Sequence, residues 1–105
     1  MKTILDNFGL KERDLKTIFE ILDKYAEVKL VQIFGSRAKG THKTGSDIDL
    51  AIMNDGVPDS TIMKIKSEFE DSSLPYFVDF VNFPQLKHPG LIEHIERVGK
   101  VFYEK

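Results

Sequence analysis

The sequence predicts an α/β (α+β) domain in which helices alternate with short strands, and three observations carry that prediction. Segments whose apolar residues recur every three or four positions alternate with shorter β-branched runs, giving the order α, β, α, β, α, β, α. Polar or glycine- and proline-bearing segments such as 41–46 and 54–58 separate the runs, as connections should. A length of 105 residues, 41% hydrophobic and 30% charged, suits one domain with a modest core and lies far from the profile of a disordered chain.

The first helix is expected between Lys11 and Ala26, where Leu15, Ile18, Phe19, Leu22 and Tyr25 form one apolar face. Its start lacks a good capping side chain, because Gly9, Leu10 and Lys11 stand where Ser or Asp is preferred. Val28 to Phe34 is apolar and β-branched and ends abruptly at Gly35, which marks a strand. Gly35 to Gly40 then holds Ser, Arg, Ala and Lys between two glycines, enough for one or two helical turns with Ser36 at the start.

A polar loop, Thr41 to Ser46, leads into Asp47-Ile48-Asp49-Leu50-Ala51-Ile52-Met53. Its alternation predicts a strand with Asp47 and Asp49 on one face and Ile48, Leu50 and Ile52 on the other. Asn54 to Pro58 reads as a turn, and Asp59 or Ser60 can cap a helix that buries Ile62, Ile65 and Phe69 and ends near Ser72. Tyr76 to Phe83 is an aromatic and β-branched strand with one acid, Asp79, in its middle. That acid is expected to be costly there unless paired, solvated or bound to metal. Its aromatic residues are expected in the core rather than as a base-stacking platform. Pro89 and Gly90 open a last amphipathic helix through Leu91, Ile92, Ile95 and Val98, and Val101 to Tyr103 is a short terminal strand or packing segment.

Composition narrows the chemistry. The formal net charge of −2 argues against a protein held to nucleic acid by bulk charge. Without cysteine there is neither a disulfide nor a thiolate metal site, and a reducing cytoplasm is the compatible compartment. Met1 to Leu10 lacks a signal-peptide core, no segment reaches membrane-spanning length, and no membrane association is expected. His42, His88 and His94 have no ligand spacing, so a zinc site is not expected. Arg37, Lys39 and Lys43 place positive charge just ahead of Asp47 and Asp49, an arrangement suited to phosphate beside metal.

Two carboxylates two residues apart on a strand stand about 6.6–7 Å apart at the backbone and can converge on one cation. Magnesium fits best, since it takes one or two carboxylates and fills its octahedron with phosphate and water. Gly35 allows close backbone approach and Ser36 offers an amide and a hydroxyl, together a phosphate clamp, with Arg37 as a further phosphate contact. Asp79 adds a third ligand and a proton acceptor, which permits two-metal phosphoryl transfer.

The segment GSRAKGTHKTGSDIDLAI with the later FVDFV resembles the nucleotidyltransferase superfamily of DNA polymerase β type, and more closely its minimal nucleotidyltransferases. Gly35, Ser36, Ser46, Asp47, Asp49 and Asp79 fall on that family's pattern of Gly-Ser, a loop ending in Ser, Asp-x-Asp and a later strand Asp. The resemblance implies a small mixed sheet flanked by helices over one domain, 1–105. It also implies two magnesium ions, ATP or another nucleoside triphosphate as donor, and transfer of a nucleoside monophosphate. Members of this size resemble antitoxins that inactivate a HEPN-domain ribonuclease toxin by adding AMP to a tyrosine, so a HEPN-domain partner is the implied acceptor. Two alternatives stay open: a non-catalytic binding module with a vestigial nucleotide site, and a catalytic subunit that needs a separate substrate-binding protein or assembles with itself.

Overall fold

A computed structural model describes residues 8–105, so most of the segment read above for a signal peptide lies outside the described residues. The elements are α1 (Glu12–Asp23), β1 (Leu30–Phe34), α2 (Gly35–Lys39), β2 (Ile48–Ile52), α3 (Asp59–Asp71), β3 (Val78–Asn82), α4 (Pro89–Val98) and β4 (Lys100–Glu104), with a single 3-10 turn at Phe83–Gln85. Every expected helix and strand is present, and the terminal segment is a true strand. The strands are shorter than the apolar runs suggest, because a run counts residues that pack and a ladder counts only residues that pair.

The sheet is mixed, in the order β3-β2-β1-β4. β1 lies antiparallel to β2 and to β4, whereas β2 and β3 are parallel. A parallel pair cannot be closed by a hairpin, and α3 supplies the crossover. Pleating divides the strands between two apolar clusters. Ile48, Leu50, Ile52 and Phe80 join Ile18 and Leu22 of α1 and Ile65 and Phe69 of α3 in the main core. Phe34, Ala51 and Ile95 form a smaller cluster on the other face beneath α4, with Met53, Val81, Leu91 and Val98 around it. Of α4 only Ile95 is fully buried, so this second face is thinly covered.

Local chemistry sets several boundaries. α1 follows Lys11, which supplies no side-chain cap, as its sequence implies. α3 begins after Pro58, again without a side-chain cap; Asp59 lies inside the first turn, where its charge favours the helix N-terminus, and does not cap it. α4 is capped by His88, whose Nδ1 accepts from the Leu91 amide at 3.1 Å. α2 stops after five residues because Gly40 takes a left-handed conformation (φ 78°), and its amide returns to the Ser36 carbonyl.

Candidate functional site

The acids gather on the thinly covered face, at the end of the sheet that α4 leaves open. Asp49 pairs in register with Asp79 on β3 and with Phe34 on β1. Neighbouring strands lie about 4.8 Å apart, so two carboxylates stand side by side on one face. Asp47 precedes β2 by one residue and stands on that face by strand alternation. The opposite face of the same strand is the core stripe of Ile48, Leu50 and Ile52, each fully buried. One run of sequence thus supplies both the packing surface and the acids.

Asp79 departs from the sequence expectation. It is exposed, not buried, because β3 is an edge strand and only Phe80 of that strand is fully enclosed. No desolvation cost attaches to it, and the argument from burial does not apply. The strained acid is Asp49. Burial, then the charges of Asp79 and Asp47, push its carboxyl up from 3.8 to about 6, while the Arg37 guanidinium works in the opposite direction. Unpaired carboxylates held this close create a field that a cation relieves.

Gly35 explains why the acids and the Gly-Ser step belong together. Its φ is 73°, and a Cβ built on it falls on Asp49 Oδ2 and lies 3.1 Å from Cγ. Any side chain here would strain the backbone and drive the carboxylate from its place. Ser36 follows, half-buried, with its carbonyl accepting the amides of Gly40 and Thr41. A helix of five residues has little macrodipole, so any hold on an anion comes from amides and the hydroxyl of this step rather than from the helix as a whole.

Arg37 and Ser46 lie behind the acids and fold the loop. Arg37 is 3% exposed. Its Nε and Nη2 donate to the Ser46 carbonyl at 3.2 and 2.9 Å, Nη1 donates to the Phe8 carbonyl at 2.9 Å, and the guanidinium stacks on the Tyr76 ring at 4.8 Å. Ser46 accepts the Lys43 amide on Oγ at 2.8 Å and donates its own amide to the Lys43 carbonyl. The arginine therefore grips the residue immediately before Asp47. Sequence reading missed Tyr76 and the Phe8 carbonyl as its partners; a carbonyl leaves no mark in a sequence, and both come from segments far from Arg37 in the chain. Lys39 and Lys43 are exposed. His42 packs against Gly9, and His94 meets the Phe34 ring edge-on at 6.1 Å. Of the aromatics in and beside β3, Phe80 is buried, Tyr76 and Phe83 are half-buried, and Phe77 is 62% exposed, so one face of the run packs and Phe77 stands outside the core.

Among the described residues no three acidic or imidazole groups already converge as a finished metal cage. The donor set still fits magnesium, which ordinarily takes one or two protein carboxylates and completes its shell with phosphate and water. Asp49 is partly enclosed, flanked by the charges of Asp79 and Asp47 and set against Gly35, an all-oxygen donor set of the kind magnesium prefers. Fold and site together define a nucleotidyl-transferring domain of the polymerase β kind. The description "Polymerase beta, Nucleotidyltransferase" matches residues 16–105, and the chain belongs to that family. It is 33% identical over 104 residues to the probable protein adenylyltransferase MntA of Haemophilus influenzae, covering 98% of this chain and 90% of that protein. Its fold matches a crystal structure of a toxin-antitoxin with AMP-PNP at a TM-score of 0.67, with 23% identity over 88% of this chain and 74% of that one. A second match, at 0.64 and 19% identity over 91% and 74%, is the complex of a tri-AMPylated Shewanella oneidensis HEPN toxin with an MNT antitoxin.

Proposed function

We propose that this nucleotidyltransferase moves AMP from ATP to a hydroxyl of a HEPN-domain protein and acts as the antitoxin of that pair. The observation that carries the reading is Asp49, held between Asp47 and Asp79 and pressed against Gly35 at the open end of the sheet. The 33% identity to a protein adenylyltransferase supports the choice of AMP and of a protein acceptor.

Each residue takes a role that its position allows. Asp47 and Asp49 would hold magnesium together with triphosphate oxygens, and Asp49 with Asp79 would hold a second ion. Bound there, magnesium neutralises the triphosphate and lowers the pKa of the attacking hydroxyl. Gly35 leaves the Asp49 carboxylate room to sit against the backbone, and Ser36 offers its amide and hydroxyl to phosphate oxygens. The acceptor oxygen bonds to the α-phosphorus, the bond from that phosphorus to the bridging oxygen breaks, and pyrophosphate leaves. Asp79, exposed at the strand edge, would keep its second carboxylate oxygen for the hydroxyl proton. Arg37 holds the Ser46 carbonyl and so sets the entry of Asp47, a positioning role in place of the direct phosphate contact read from sequence.

The test is transfer of label from α-labelled ATP, with magnesium, to the product of the adjacent gene, which on this reading is a HEPN-domain protein. Wild type labels the partner and Asp47→Asn and Asp49→Asn do not. Undiminished labelling by both variants would sink the mechanism, and full suppression of the partner by Asp49→Asn without transfer would make the chain a binding module.

A further inference from the structure

A strained turn lies just ahead of α1 and reaches the site from behind. Phe8 has φ 55° and Gly9 follows at φ 76°, and among the described residues Phe8 is the only non-glycine at positive φ. A bulky side chain is disfavoured there because its Cβ crowds the following carbonyl oxygen, so it persists only where its surroundings hold it. Here they do. The Phe8 ring meets Phe102 of β4 with centroids 6.0 Å apart, and Phe8 and Leu10 are both buried. The Phe8 carbonyl accepts from Arg37 Nη1 at 2.9 Å, so one residue serves two partners from its ring and its backbone.

Both residues of the turn bear on the loop that leads to Asp47. Arg37 is buried, and among the described residues its guanidinium forms no ion pair. Two carbonyl oxygens and the Tyr76 ring stand in for a counter-ion. Nε and Nη2 hold the Ser46 carbonyl while Nη1 is held by Phe8, so the Phe8 carbonyl fixes the direction from which the guanidinium reaches Ser46. Without that acceptor a buried, charged donor would be left unsatisfied, and the group would turn away from its present grip. Gly9 acts at the start of the same loop. A Cβ built on it falls on His42 Nε2 and lies 3.0 Å from the two ring carbons beside it. His42 Nδ1 is buried without a hydrogen-bond partner, so packing against Gly9, not a bond at that nitrogen, places the imidazole.

We propose that Phe8 and Gly9 are positioning residues of the nucleotide site: through Arg37 and His42 they hold both ends of the loop that delivers Asp47. Phe8 sets the end at Ser46 and Gly9 the end at His42. The strain at Phe8 is the cost of bringing a carbonyl and a side-chain-free Cα to one spot behind the loop. The inference rests on the acids holding magnesium and a nucleoside triphosphate, and it adds a segment far from Asp47 in sequence to the parts that place that acid.

Phe8→Pro and Phe8→Gly separate the turn from the ring. Both lose the contact with Phe102, but proline fixes φ at about −65° and cannot hold the turn, whereas glycine takes positive φ freely. Gly9→Ala is an independent perturbation, strained at φ 76° and set against His42. The Lys43 and Ser46 amides bond within the loop. In the free chain their deuterium exchange should be at least about tenfold faster in Phe8→Pro and Gly9→Ala than in Phe8→Gly, with the Leu50 amide of β2 not following. By calorimetry the Kd for AMP-PNP with magnesium should rise at least about tenfold in the same two variants and stay within about threefold of wild type in Phe8→Gly. Loop amides that change no more than Leu50 in both Phe8→Pro and Gly9→Ala overturn the proposal, as does an unchanged Kd beside a loosened loop. A wild-type chain that binds no AMP-PNP with magnesium, while its loop loosens in those two variants, supports the hold on the loop and overturns the nucleotide reading of the acids instead.

Discussion

Replacing Asp49 with Asn should stabilise the protein, against the usual expectation for a change at a half-buried strand position. The carboxyl is pushed from 3.8 to about 6 by burial and by the charges of Asp79 and Asp47. Between about pH 4 and pH 6 the folded state therefore holds a proton that the unfolded chain has released, and stability falls as pH rises through this window. Above it the full penalty applies. A displacement of about two units corresponds to about 3 kcal/mol, which solvent screening of a half-buried group reduces to about 1–2 kcal/mol. For a domain of this size that is about 5–10 °C in Tm. Thermal unfolding followed by circular dichroism from pH 4 to pH 8, without divalent cations, should show Asp49→Asn melting higher than wild type at pH 8 and the two converging near pH 4. Millimolar magnesium should raise the wild-type Tm at pH 8 and leave the variant unmoved. Parallel pH profiles, or a variant less stable at pH 8, would refute the claim that three unpaired carboxylates repel one another here.

Other substitutions probe the parts around that acid. Gly35→Ala should cost at least about 1–2 kcal/mol, from a side chain at positive φ, and should abolish AMP transfer because the new Cβ displaces the Asp49 carboxylate; chemical denaturation and the labelling assay read the two effects separately. Arg37→Lys keeps the charge but loses the paired donation to the Ser46 carbonyl, so activity should fall more than tenfold and the magnesium concentration for half-maximal rate should rise. An unchanged magnesium requirement would show that the clamp does not position Asp47. Phe80→Ala removes a fully buried ring where β3 meets α3 and should cost about 3–5 kcal/mol in urea unfolding.

The periodic elements were legible in the sequence because burial dictates them. α1, α3 and β2 each repeat apolar residues at their own period, and the phase of β2 alone placed Asp47 and Asp49 away from the core. What was not legible depended on neighbours that a strand does not name. The run around Asp79 looks equally apolar in a central and in an outer strand, and only the order β3-β2-β1-β4 shows that the acid is in water. Arg37 reads as a phosphate ligand beside Gly35-Ser36, since nothing in its own segment shows that the Phe8 and Ser46 carbonyls and the Tyr76 ring engage it. The exposure of Phe77 goes with β3 being the outer strand of the sheet among the described residues.

The parallel match of Asp49 to Asp79 couples chemistry to core packing in a way that tolerates change in the connection. Val78 and Phe80 seat β3 in the core, and a slip of one residue would exchange them for Asp79 and put a charge among hydrocarbon. The register is thus enforced by oil rather than by the acids themselves. A lengthened or shortened link between α3 and β3 should leave Asp79 opposite Asp49, because the strand realigns on its apolar residues and the link absorbs the difference. Such a domain can vary in its connecting segments over generations while its reacting groups stay in step.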